Sequence, residues 1–165
     1  MTKNELRDFL NSISFRELTL TVDLVATLGI LYFYLTRLIA ATPEMQADAS
    51  FVSSLLLKAI VFSIVVAIAS RILLQVVSDG ELEQPLDERE KLIDLFGNKH
   101  ALWVLQAGVC IAIFQYTAEA QNWLPAKGEQ LPFLALHIMV VSFIVSEAVN
   151  YIMQLVKGRM SAVYG

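Results

Sequence analysis

The sequence is poor in the residue types that most often carry chemistry. It has one cysteine and two histidines among 165 residues, and charged residues make up only 17%. A single cysteine excludes an internal disulfide and a redox centre of paired cysteines. Catalytic zinc normally has three protein ligands. The cysteine and the two histidines are expected to lie far apart, so they do not supply such a site. The charged fraction is well below the roughly 25% of ordinary soluble domains, so the sequence is atypical of a soluble enzyme.

Other common functional sites are missing as well. His100 and His137 are expected at opposite ends of two apolar segments, so one haem cannot bind both imidazoles. The sequence has no phosphate-binding loop, no dinucleotide fingerprint, no nucleophile elbow and no HExxH pattern. A net charge of -4 provides no basic field for nucleic acid. We therefore expect no catalytic residues, no cofactor, no metal and no nucleic-acid partner.

Apolar residues, by contrast, make up 56% of the chain and occur in long blocks. Four blocks approach or exceed the roughly 20 mostly apolar residues needed to cross a bilayer. They cover approximately residues 18–39, 52–77, 101–118 and 133–156. The sequence predicts one all-α domain, an integral membrane four-helix up-and-down bundle whose spans are solvated by a lipid bilayer. A cleaved signal peptide is the alternative for the first block, but that block is too long and Asp23 interrupts it.

Positive charge is distributed unevenly between the connections. Eight Lys or Arg residues lie in the N-terminal segment, the middle connection and the C-terminal tail, whereas the other two connections contain only Lys127. By the positive-inside rule, both termini and the middle connection are expected to be cytoplasmic.

The N-terminal segment has an apolar stripe at helical spacing, formed by Leu6, Phe9, Leu10 and Ile13. This pattern predicts a short helix in the membrane interface, with a frayed terminus as the alternative. Ser14 followed by Glu17 has the spacing of a capping box, which would begin the first span.

Residues 78–100 form an acidic segment expected to contain a cytoplasmic loop and the start of a helix. Asp87 followed by Glu90 predicts an N-cap with a capping box, and the apolar pattern then continues into the third span. Gly97 is expected either to bend this helix or to be absorbed into it. The four charged residues at its start, Asp87, Glu88, Arg89 and Glu90, are candidates for docking a cytoplasmic partner; helix capping and divalent-metal binding are the alternatives.

The run from Asp87 to Ile93 resembles a D-E-R-E-x-x-I pattern found in small bacterial four-span membrane proteins. The position of the run, between the second and third spans, is similar as well. The resemblance implies a location in the bacterial cytoplasmic (inner) membrane and brings no activity with it.

Three ionisable residues, Asp23, Arg71 and Glu147, fall in the inner half of the predicted spans. Unpaired charges are costly in lipid, so we expect Arg71 to serve both carboxylates, with Asn150 in the same polar cluster. Small and hydroxyl residues extend the predicted polar seam: Thr27, Ser63, Ala67, Ser70, Gly108, Ala112, Ser142 and Ser146. This cluster is interpreted as an interhelical ion pair, a proton or solute pathway, or a catalytic site.

A second group, Arg37, Lys58 and His137, is expected toward the outer side. Arg37 and Lys58 are close enough to their helix ends to extend to the headgroups, and an anionic-ligand vestibule is the alternative. Cys110 is interpreted as a small core residue.

These observations predict a non-enzymatic accessory or regulatory membrane protein that presents its acidic loop to a partner. The alternative is a small proton- or ion-coupled transporter built around Glu147, Asp23 and Arg71. Four helices are few for a transport path, so this alternative implies a homodimer.

Overall fold

The computed structural model describes residues 15–77, 87–123 and 131–163, and these contain five helices and no strand. The helices are α1 (Phe15–Ile39), α2 (Pro43–Ala47), α3 (Ala49–Val77), α4 (Glu88–Ala120) and α5 (Leu134–Val163). The predicted interfacial helix at residues 6–13 and the loop at 78–86 lie outside the described residues.

Four of the helices are long and apolar enough to cross a membrane. They contain 25, 29, 33 and 30 residues. At about 1.5 Å per residue each exceeds the roughly 30 Å hydrocarbon core of a bilayer. The chain therefore has the predicted all-α fold of a multi-pass four-helix membrane protein.

Helix α4 begins where its capping box was predicted. The Asp87 carboxylate accepts a hydrogen bond from the Glu88 N–H at 2.7 Å, and the Glu90 carboxylate accepts one from the Asp87 N–H at 3.1 Å. The helix then runs without interruption to Ala120, so Gly97 is absorbed into it. The acidic helix start and the third span are thus one continuous helix.

The long helices pack in the order α3, α1, α5, α4. The most extensive contact is between α4 and α5, followed by α1 with α5 and α1 with α3, while the short α2 packs on α3. Other helix pairs make little contact. Helices α1 and α5 are therefore central, and α3 packs at one edge of the bundle.

Close contact between α4 and α5 depends on two glycines. A Cβ atom on Gly97 would lie 2.5 Å from Asn150 Oδ1, and a Cβ atom on Gly108 would overlap the Ser142 side chain. Gly108 and Ala112 are both buried, as the predicted small-residue face requires. Small residues let these helices approach more closely than larger side chains would allow.

The C-terminal half of α1 and the N-terminal half of α3 form an apolar core of Tyr34, Leu38, Leu55 and Ala59. Many other large apolar side chains point outward, as expected for helices surrounded by lipid. Cys110 is also exposed, so its interpretation as a core residue was wrong. It lies on a face of α4 directed away from the packed helices.

Candidate functional site: polar clusters at the proximal end

We call the end of the bundle at which α1 and α4 begin the proximal end, and the other the distal end. Near the proximal end, Arg71 Nη2 of α3 donates a hydrogen bond to Asp23 Oδ2 of α1 at 3.1 Å. The Asp23 side chain is 14% exposed and that of Arg71 is 58% exposed. The predicted pair therefore forms at the edge of the bundle, because α3 packs mainly on α1.

Glu147 does not share Arg71 in the way expected from the sequence. Arg71 is within ion-pair distance of Asp23 but not of Glu147, and Glu147 instead lies within electrostatic reach of Tyr151. Tyr151 also lies within electrostatic reach of Asp23 and Arg71, so these four side chains form one cluster. Sequence reasoning missed Tyr151, although it lies one helical turn from Glu147.

Asn150, predicted to join that cluster, belongs to a second one. Its Oδ1 accepts a hydrogen bond from Gln154 Nε2 at 2.9 Å, and the same nitrogen lies 3.1 Å from Asp94 Oδ1. Both Asn150 and Gln154 also pack against Gly97. Asn150 points toward α4, whereas Asp23 and Arg71 lie on the opposite side of α5, and this separation follows from the helix order.

Gln154 is the centre of this second cluster. Its side chain is buried, with 4% exposed, and its Oε1 accepts a hydrogen bond from Arg16 Nη2 at 3.2 Å. Arg16 also donates to the Glu90 carbonyl at 3.0 Å and lies 3.6 Å from the Glu90 carboxylate. The starts of α1 and α4 are thereby tied to the last turns of α5. The sequence pattern that could have identified Gln154 is its position, four residues after Asn150 in an otherwise apolar helix.

A further ion pair reinforces the same end. Arg159 Nε of α5 donates to Glu17 Oε1 of α1 at 2.6 Å. Glu17 lies in the first turn of α1, where a carboxylate also interacts favourably with the helix dipole. All three ion pairs among the described residues therefore lie in the proximal half.

The predicted polar seam through the middle of the bundle does not form as a continuous network. The hydroxyls of Thr27, Ser63 and Ser146 donate to backbone carbonyls of their own helices. Ala67 is exposed instead of facing the other helices. Hydroxyls that bond within a helix satisfy themselves locally and leave no chain of polar groups between helices.

The candidate docking residues at the start of α4 differ in their exposure. Asp87, Glu88 and Arg89 are exposed, whereas Glu90 is half-buried and engaged by Arg16 and by the capping box. Among the described residues no group of three or more possible ligands could hold a metal ion. This part of the chain thus presents charge on a firmly positioned helix start.

The predicted outer group is divided by the fold. His137 is buried, with 3% exposed, and its Nδ1 lies 2.6 Å from the Tyr34 hydroxyl. The expectation that His137 resides at the interface with Arg37 and Lys58 was wrong, because α5 directs its side chain toward α1. Arg37 and Lys58 instead line one groove between α1 and α3.

Comparisons of the chain with known protein families, with curated proteins and with solved structures give no match. Function is therefore inferred from the residues of this chain alone. Two features of the structure bear on function: the braced helix start at the proximal end and the cluster of Asp23, Arg71, Glu147 and Tyr151.

Proposed function

We propose that the protein is a non-enzymatic accessory or regulatory membrane protein that presents the start of α4 to a partner protein. The observation that carries the proposal is the bracing of this helix start. Glu90 and Asp94 are held by Arg16 and Gln154. A rigid scaffold presents exposed charges in a fixed arrangement, which lowers the entropy lost when a partner binds.

The proposed location is the bacterial cytoplasmic membrane, with both termini and the proximal end on the cytoplasmic side. Support comes from the positive charges of the connections, most of which flank the proximal end. The likeness of residues 87–93 to small bacterial membrane proteins agrees with this location. A reporter enzyme that is active only outside the cytoplasm should be inactive when fused after Gly165.

We propose as docking residues Glu88, one of the four candidates predicted from the sequence, and Lys91, three residues later. Glu88 and Lys91 are exposed on the first turns of α4, while Asp87 and Glu90 keep the helix capped. Charged residues at an interface contribute mainly to specificity and to the rate of association. A partner with complementary charge would be selected by Glu88 and Lys91 without any change in the fold.

The test compares two sets of charge-neutralising substitutions in the full-length protein. Glu88→Gln with Lys91→Gln removes the proposed docking charges and leaves the capping pair intact. Glu44→Gln, in the first turn of α2 at the distal end, is the matched control. Proteins co-purifying from native membranes are quantified for each variant and for the wild type.

A specific partner should be retained by the wild type and by the Glu44 variant and lost from the Glu88 and Lys91 variant. Equal recovery of every co-purifying protein from all three would contradict docking at this surface. Thermal unfolding of each variant separates loss of binding from loss of fold.

The alternative, a small proton- or ion-coupled transporter working as a homodimer, is favoured by the cluster of Asp23, Arg71, Glu147 and Tyr151. About 16 Å along α1 separates this cluster from the Tyr34–His137 pair, taking about 1.5 Å per residue. The hydroxyls of Thr27 and Ser146 within this interval bond to their own helices. A second copy would have to supply the missing polar groups.

Proton flux into proteoliposomes, followed by a pH-sensitive dye inside the vesicles, distinguishes the two functions. In a transporter, Glu147→Gln should abolish the flux, while Glu119→Gln on α4 should leave it unchanged. In an accessory protein, none of the three proteins should produce flux above that of empty vesicles.

A further inference from the structure

The distal end has a groove between α1, α2 and the start of α3. Its volume is about 380 Å³, and its walls include Phe33, Met45, Phe51 and Leu55. Two cationic side chains, Arg37 from α1 and Lys58 from α3, line the same groove. No acidic residue is among the described residues that line it.

The two cations have no anionic partner in the part of the chain that the structure describes. All three ion pairs there involve other residues, at the proximal end. The Arg37 guanidinium lies 5.7 Å from the centre of the Phe33 ring, which positions it without neutralising its charge. An anion in the groove would therefore meet two positive charges and no carboxylate among the described residues that line it.

The position of the groove suits a lipid. Arg37 lies in the last turn of α1, at the end of a helix long enough to span the membrane. Asp23 and Arg37 are about 21 Å apart along the helix at about 1.5 Å per residue. This spacing places the two cations near the far boundary of the hydrocarbon core, where lipid phosphates lie.

We propose that this groove binds an anionic phospholipid, with its phosphate between Arg37 and Lys58 and its acyl chain along Phe33 and Leu55. The apolar walls favour a ligand with a hydrocarbon chain over free phosphate. A zwitterionic headgroup would place its own ammonium beside the two cations, so a lipid with net negative charge fits better. Charge attraction near a membrane surface corresponds to about fivefold in affinity for each Lys or Arg.

The test titrates the purified full-length protein with lipids and measures binding by native mass spectrometry. The probes are phosphatidylglycerol, phosphatidylcholine and inorganic phosphate. The variant is Arg37→Gln with Lys58→Gln. The matched control is Lys99→Gln with Lys157→Gln, which removes two cations at the proximal end that, like Arg37, lie over aromatic rings.

The wild type and the control should prefer phosphatidylglycerol to phosphatidylcholine, and the Arg37 and Lys58 variant should bind phosphatidylglycerol about thirtyfold more weakly. Equal binding of phosphatidylglycerol by the two double variants would overturn the proposal. So would equal affinity of the wild type for both lipids, or displacement of the lipid by inorganic phosphate at similar concentration. The last two measurements need no substituted protein.

Discussion

Gly108 of α4 lies so close to Ser142 of α5 that a Cβ atom on the glycine would overlap the serine side chain. These two helices make the most extensive contact of any helix pair in the bundle. Without water, helices in lipid associate through close packing, so the absence of a side chain at position 108 is itself stabilising.

Gly108→Ala should therefore destabilise the protein although alanine is the better helix former. Overpacking of this kind costs about 1–3 kcal/mol, more than the roughly 1 kcal/mol gained in helix propensity. Thermal unfolding in detergent measures the difference. Gly29→Ala is the control, because nothing lies within 4 Å of a Cβ atom there.

The double variant Gly108→Ala with Ser142→Gly should regain part of the lost stability, since removing the Ser142 side chain leaves room for the added methyl group at position 108. If Gly108→Ala and Gly29→Ala behaved alike, close packing at Gly108 would not contribute to stability.

The ion pair of Asp23 and Arg71 should contribute modestly to stability. The Arg71 side chain is more than half exposed and lies near the proximal end of its helix, so its long side chain can extend toward the headgroups. Interhelical polar contacts in membrane proteins average about 0.6 kcal/mol. A double-mutant cycle with Asp23→Asn and Arg71→Gln, measured by unfolding in detergent, should give a coupling energy of about 0.5–1.5 kcal/mol.

A coupling energy near zero would show that the pair does not hold α3 to α1. In that case the apolar core of Tyr34, Leu38, Leu55 and Ala59 would be sufficient to hold the two helices together.

Gln154 should be the most sensitive polar residue of the bundle. It is buried and connects Arg16 of α1 with Asp94 of α4. Gln154→Leu would remove the partners of several groups that remain in the protein, and each unsatisfied buried group costs about 1–3 kcal/mol. Unfolding experiments should show a loss in that range, whereas Gln106→Leu, at an exposed position of α4, should have little effect.

The start of α4 should also loosen in the Gln154 variant. Hydrogen exchange of the backbone amides of residues 91–97 should become faster, because Arg16 and Asp94 both lose their hydrogen bonds with Gln154. Unchanged exchange in this segment would show that Gln154 does not hold the start of α4 in place, even if it stabilises the bundle as a whole.

Asp48 gives the start of α3 a dependence on pH. Its carboxylate accepts hydrogen bonds from the Ser50 hydroxyl at 2.7 Å and from the Ser50 N–H at 2.9 Å. These bonds, first that of the hydroxyl, hold the pKa of the Asp48 carboxyl below its usual value of 3.8. Because the pKa is lowered in the folded protein, the stabilisation is present above the ordinary aspartate pKa and is lost as pH falls through the lowered value.

Titration of the Asp48 carboxyl by NMR should therefore give a pKa below 3.8, and Ser50→Ala should raise it. The Asp48→Asn variant should keep a polar cap on α3 and lose the acid dependence of amide exchange in its first turn. An identical pKa in the Ser50→Ala variant would exclude the hydroxyl as the main cause.

The sequence predicted the fold class, the four long helices and the cap at Asp87, because each depends on local hydrophobicity, length or side-chain spacing. It also predicted the pairing of Asp23 with Arg71, since charges in lipid must find a partner. It did not reveal which faces of the helices meet. Gln154 and Tyr151 carry no motif, and their roles depend on what the neighbouring helices place beside them.

The sequence by itself determined that the chain forms membrane-spanning helices. Long apolar blocks with few charges form helices that satisfy their own backbone hydrogen bonds in lipid. The tertiary structure decided which helices are neighbours. The order α3, α1, α5, α4 separates Asn150 from the predicted cluster of Asp23, Arg71 and Glu147, and it buries His137 against Tyr34. It also brings Arg37 and Lys58 to one groove. Helix order depends on the close packing of residues such as Gly108 and Ser142, and this packing cannot be predicted from hydropathy alone.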